Sequence, residues 1–184
     1  MQYLRLVEVY EKLEATSAKL KKTEVIADFF AECEPDILPK VALLLQGLVF
    51  PAWSEKEIGI ATNLMVKIIA NTTGFSEGDI LDKFKKTGDL GLVIEGLVSG
   101  KKQRTLFSMP LTVEKAFENL QKVTSVEGKG SQERKFQLVS ELLSSATPRE
   151  ARYLVRTTLG DLRVGVAEGL VRDAIAKAFF ADII

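Results

Sequence analysis

An all-α domain of about ten helices is the fold this 184-residue sequence predicts, and three observations predict it. Apolar residues recur at helical spacing almost throughout, as Leu4, Leu6, Val7 and Tyr10 do in "LRLVEVYEKL" and Ile58, Ala61, Leu64, Met65 and Ile68 do in "IGIATNLMVKII". No stretch alternates strictly enough to claim a strand. The punctuation is helical too: Ser54 to Glu57 and Thr147 to Glu150 match the S/T-x-x-E capping box, the second with Pro148 at the first helical position. Gly74 and Gly160 read as helix stops.

In chain order, the pattern places helices near 2–14, 18–32, 35–47, 55–73, 77–86, 89–98, 112–125, 131–145, 148–159 and 167–181. The first is the amphipathic start "MQYLRLVEVYEKLE". The fourth takes its start from the Ser54 box and its end from Gly74; the eighth follows the turn "GKGS", Gly128 to Ser131; the ninth runs from the Thr147 box to Gly160. The least helical interval, "SGKKQRTLFSMPL" from Ser99 to Leu111, is basic and carries a glycine and a proline. It divides the chain into two pseudo-similar helical halves, about 1–98 and 112–184, and reads as their connecting loop. Leu106, Phe107 and Met109 are apolar within it; such residues either tuck back onto a core or wait for a partner.

Composition bounds the class. With 46% hydrophobic residues the chain can bury an ordinary core. A single cysteine, Cys33, rules out an intramolecular disulfide framework, histidine is absent, and no Cys/His cluster has zinc spacing, so an intracellular, reducing compartment fits. The longest apolar run, Val41 to Phe50, is half of the roughly 20 residues a membrane span needs. The acidic pairs Glu32/Glu34 and Asp79/Asp82 read as helix-end and surface charges rather than a general acid and base.

The formal net charge of zero hides an asymmetry: residues 1–99 carry 11 Lys+Arg and 15 Asp+Glu, whereas residues 100–184 carry 14 and 10. In the second part Arg149, Arg152 and Arg156 share one helix face. That stripe runs toward "RTTLGDLRVGVAEG", Arg156 to Gly169, where Arg163 stands between Gly160 and Gly165 ahead of a helix beginning near Ala167. Glycines permit close backbone approach, and the free N–H groups of a helix start attract phosphate. The "GKGS" turn repeats the design, with Lys129, Arg134 and Lys135 close by. Together the two turns suggest a surface that grips a phosphate backbone and inserts small residues into a shallow groove. Taken singly, each glycine reads equally well as a helix cap or tight turn.

"ARYLVRTTLGDLRVGVAEG" resembles the signature of the N-terminal DNA-binding domain of ATP-dependent DNA ligases of the archaeal and eukaryotic kind. "YEKLEATSAKLKKTEVIADFF", "LLQGLVFP", "EIGIATNLMVKII", "KKTGDLGLVIE" and "LTVEKAFENLQKVTSVEGKGSQERKFQLVSELL" agree in order, so the resemblance covers nearly the whole chain, 1–184. Lys19 departs from it, standing where many relatives carry arginine. The resemblance implies an all-helical module that sits on the minor groove of double-stranded, nicked DNA. Carried over by position, Gly160, Asp161, Arg163, Gly165 and Ala167 fall in the groove loop, and Gly130, Ser131, Arg134 and Lys135 in a second backbone-gripping turn. Arg152 and Arg156 divide evenly between DNA contacts and internal partners of acids such as Glu141 or Glu168.

The resemblance also implies that "QRTLF", Gln103 to Phe107, is a truncated box for the replication sliding clamp, proliferating cell nuclear antigen. Leu106 and Phe107 would form an apolar plug, with Gln103 bonding the pocket rim. The alternative function is then a helical interaction scaffold docking on that clamp. Ligases of this type form an adenylate on the lysine of K-x-D-G, and no K-x-D-G occurs here. The adenylation and OB domains are therefore expected elsewhere, ATP and Mg with them. No catalytic residue, cofactor or metal site is expected in this chain. A monomer is expected, in an archaeal cytoplasm or a eukaryotic nucleus.

Overall fold

The computed structural model describes residues 1–54, 56–100 and 109–180. Among these residues the architecture is ten α-helices: α1 Tyr3–Glu14, α2 Lys19–Glu32, α3 Leu38–Leu44, α4 Thr62–Thr73, α5 Glu77–Thr87, α6 Leu90–Ser99, α7 Val113–Ser125, α8 Ser131–Ser145, α9 Pro148–Thr158 and α10 Glu168–Phe180. The all-α expectation holds. Nine of the helices lie close to their expected places; the fourth does not.

That helix starts at Thr62 rather than near residue 55. A 3-10 turn, Ala52–Ser54, precedes it, and residues 56–61 carry no helix. Gly59 adopts a left-handed φ of 56°, which an α-helix cannot accommodate, and it sets Ile58 and Ile60 into the core on either side. The Ser54 capping signature is thus overridden by burial of two isoleucines. The Thr147 signature forms in full: Thr147 accepts from the Glu150 N–H, and the Glu150 carboxylate accepts from the Thr147 N–H. Gly74 and Gly88 close α4 and α5 in the left-handed conformation, and Asp89 caps α6 by accepting from the N–H groups of Gly91 and Leu92.

The core runs as one contiguous cluster through both halves, with Tyr3, Tyr10, Phe30, Met65 and Tyr153 among its largest buried side chains. The most extensive helix packing joins the two halves: α2 lies along α10 and α6 along α9. The α6–α9 approach is tight enough that a Cβ on Gly91 would lie 2.6 Å from the Arg152 carbonyl oxygen. An antiparallel bridge of Gln2 with Thr112 ties the start of α1 to the start of α7, made by the Tyr3 N–H donating to Leu111 O at 2.8 Å and the Val113 N–H donating to Met1 O at 2.9 Å. No helix among the described residues is long and apolar enough to cross a membrane.

Candidate functional site

The arginine stripe of α9 faces inward, against acids of the first half. Arg149 forks onto Glu11. Arg152 donates to Glu14 at 2.9 Å and to Glu95 at 3.4 Å. Arg156 donates to Asp89 at 2.6 Å and to Glu14 at 3.0 Å, with a side chain only 4% exposed. The internal partners expected for Arg152 and Arg156 therefore exist, but they are Glu14, Asp89 and Glu95. Glu141 instead pairs with Lys115. Burial pushes the Glu14 and Asp89 carboxyls up, yet the arginine hydrogen bonds and charges outweigh it and leave both below their ordinary values. A network this heavily paired, in which only Arg152 Nε is buried without a partner, braces structure rather than offering charge to a ligand.

What it braces is the segment from Gly160 to Ala167. Gly160 is left-handed at φ 72°, and the Asp161 N–H returns to Arg156 O at 2.9 Å, ending α9. Leu162 and Val164 then alternate into the core while Asp161, Arg163 and Gly165 stay outside. Arg163, at φ 62°, is the one non-glycine with a positive φ among the described residues. Its guanidinium meets Asp161 at 2.6 Å, Asp89 at 3.5 Å and Gly88 O at 3.0 Å, and its side chain remains 42% exposed. Asp89 thus joins the α6 cap, Arg156 and Arg163.

Lys22 on α2 supports the same segment from beneath. It is 7% exposed and meets no carboxylate among the described residues; its ammonium donates to Val164 O at 2.5 Å and to Gly165 O at 3.2 Å. A Cβ on Gly165 would lie 2.7 Å from that nitrogen, so a side chain there would push the Lys22 ammonium from its place and would also be strained at the φ of 61°. The expected site residues Gly160, Asp161, Arg163, Gly165 and Ala167 are therefore brought together, with Arg152 and Arg156 behind them.

The second expected turn is built differently. Gly128 and Gly130 are both left-handed at φ 83°, with open space where a Cβ would stand. Ser131 donates its N–H to Gly128 O at 3.2 Å, starting α8. Arg134 is exposed and Lys135 half-buried, and neither meets a carboxylate among the described residues. No hydrogen bond or ion pair among those residues links this turn to the Arg163 segment. Gln103, Leu106 and Phe107 lie outside the described residues; Met109, just after them, is 85% exposed.

Sequence reasoning missed Lys22, Glu14 and Asp89. Only Asp89 carried a signal: "GDLGLVIEGLV" from Gly88 returns, one residue longer, as "GDLRVGVAEGLV" from Gly160, and the two related turns meet at Arg163. No group of three or more metal-binding side chains occurs among the described residues.

The model of the family described as DNA ligase N terminus matches residues 2–176. The chain is 46% identical over 180 residues to a DNA ligase of Methanothermobacter thermautotrophicus, covering 98% of the chain and 32% of that relative. It is 45% identical over 183 residues to a DNA ligase of Methanosphaera stadtmanae, covering 98% and 33%, and 44% identical over 179 residues to one of Thermococcus fumicolans, covering 97% and 32%. It spans about a third of the length of these relatives.

Proposed function

The chain belongs to the family of DNA ligase N-terminal domains, and from that premise we propose that it binds double-stranded and nicked DNA through the minor groove and the phosphate backbone. In this reading it is a non-catalytic module of an ATP-dependent ligase that seals nicks in replication and repair. Adenylate chemistry, ATP and Mg belong to domains this chain does not contain. One observation carries the reading. The Gly160–Ala167 segment presents an arginine and two small residues, Gly165 and Ala167, from a backbone held by buried charges.

A narrow groove admits little more than a backbone and small side chains, and it concentrates negative potential that attracts arginine. Arg163 and the small residues suit that role, while Arg134, Lys135 and the Gly130–Ser131 turn suit phosphates, which fix register without reading sequence. Arg156 is left to the interior; Arg152, 18% exposed, acts through Glu14 and Glu95. Binding should tolerate sequence and weaken with salt, log affinity falling by about 0.9 per phosphate neutralised for each log unit of salt.

Titration of this chain into labelled nicked and intact duplexes of unrelated sequence, across several salt concentrations, tests the reading. Salt-dependent affinity that Arg163→Ala lowers for all duplexes alike is the expected result. Affinity unchanged by Arg163→Ala at low salt would overturn the placement of the groove loop.

A second interaction rests on "QRTLF" and on Met109, two residues further along the chain, whose side chain stands 85% exposed. Gln103, Leu106 and Phe107 are proposed to dock on the replication sliding clamp as a rim contact and an apolar plug. Clamp affinity unaffected by Phe107→Ala would remove that contact.

A further inference from the structure

Lys22 is a buried cation whose two resolved partners are carbonyl oxygens of consecutive peptide groups, those of Val164 and Gly165. Burying an ammonium without a carboxylate is costly, so the position calls for a reason beyond filling space. Its effect on the backbone follows from peptide geometry. No peptide bond among the described residues is cis, and in a trans peptide the N–H points opposite to the C=O. Both carbonyls converge on one nitrogen on the α2 side, so the N–H groups of Gly165 and Val166 are directed away from Lys22. Neither N–H donates to an acceptor among the described residues. Two successive peptide N–H groups turned to one side around a left-handed residue form a concavity suited to an electron-rich acceptor. A side chain on Gly165 would displace Lys22 and undo that alignment.

We propose that the peptide N–H groups of Gly165 and Val166 are the hydrogen-bond donors this loop offers to duplex DNA, and that Lys22 is the positioning residue that turns them outward. The inference rests on the DNA-binding reading above and adds to it a recognition element with no side chain. Backbone donors suit a sequence-tolerant grip, because the minor groove shows acceptors at every base pair and phosphates show them at every step.

The test follows the amide resonances of isotope-labelled chain during titration with nicked duplex and, separately, with inorganic phosphate alone. The expected result is a large downfield shift of the Gly165 and Val166 amide protons on adding duplex. If phosphate alone also moves them, the acceptor is a phosphate oxygen; if only duplex does, it is a base edge. Lys22→Met is expected to abolish the two shifts and lower duplex affinity about tenfold, the loss of one to two hydrogen bonds, while amides of α7 and α8 keep their positions. Lys22→Arg, which retains donors beneath the loop, is expected to retain the shifts, and it serves as the folded comparison should Lys22→Met fail to fold. Duplex binding that is lost with Arg163→Ala but leaves both amides unmoved would overturn this inference and leave the DNA-binding reading standing. Amides that move equally in Lys22→Met would overturn the role of Lys22. No binding by the unmodified chain even at low salt would overturn both.

Discussion

The two glycine-bearing turns look alike in sequence and are held in opposite ways. The Gly160–Ala167 loop is fixed on every side: Leu162 and Val164 are anchored in the core, Lys22 lies beneath, and Arg163 is drawn onto Asp161, Asp89 and Gly88. The Gly128–Ser131 turn has one backbone hydrogen bond across it, open space around its glycines, and cations without carboxylate partners. The first is a shaped element whose charge is largely spent on holding its own form. The second is a compliant element whose charge is free. In the proposed reading a duplex would meet a rigid wedge at one point and adaptable phosphate contacts at the other, which is how register can be fixed without reading sequence.

That contrast can be broken most forcefully behind the rigid loop. Arg156→Leu strands Asp89 and Glu14 without their main cation, and removing one partner of a buried pair costs about 3–5 kcal/mol. Urea unfolding should show a loss of that size, with the far-UV spectrum at low urea still helical. A loss under 1 kcal/mol would mean that the network is not a brace.

Acid should attack the same place. Glu14 and Asp89 hold their protons less tightly in the folded chain than at their ordinary values of 4.5 and 3.8. Their contribution is therefore complete above those values and disappears as pH falls through the lowered folded ones. Thermal melts should be flat near neutrality and decline below about pH 4, and in Arg156→Leu that acid-dependent decline should be much smaller.

Glycine replacement sharpens the comparison directly. Gly165→Ala combines a left-handed φ with a 2.7 Å approach to Lys22 and should cost about 2–3 kcal/mol, whereas Gly130→Ala meets only the conformational penalty of about 1 kcal/mol. Equal costs in chemical denaturation would show that the two turns are equally compliant. The smallest stability effect belongs to the free cations: Arg134→Ala with Lys135→Ala should stay within about 0.5 kcal/mol of the parent. The same pair should nevertheless reduce the slope of log duplex affinity against log salt by about 1.8, two phosphates' worth.

Helix positions were legible because periodicity and caps are local: Thr147, Pro148 and Glu150 act within one turn of one another. Where a local signature competed with burial it lost, as at Ser54, because Ile58 and Ile60 gain more by entering the core around Gly59 than a helix start offers. The arginine face of α9 was visible as a face, but its partners were not. Glu14 lies 142 positions from Arg156, and nothing near either residue names the other. Lys22 was least legible of all, since its partners are main-chain oxygens, which carry no residue identity.

The lengthwise pairing of α2 with α10 has a kinetic consequence. All-helical chains usually fold fast because their contacts are local, whereas here Lys22 meets Val164 across 142 positions and Lys177 meets Glu24 across 153. Both supports of the Gly160–Ala167 loop, Lys22 and Asp89, come from the first half of the chain and reach it only when distant helices have docked. The loop can therefore take its shape only once those helices have docked. A chain arrested earlier, with most of its helices formed, would display the arginine without the geometry that makes it useful.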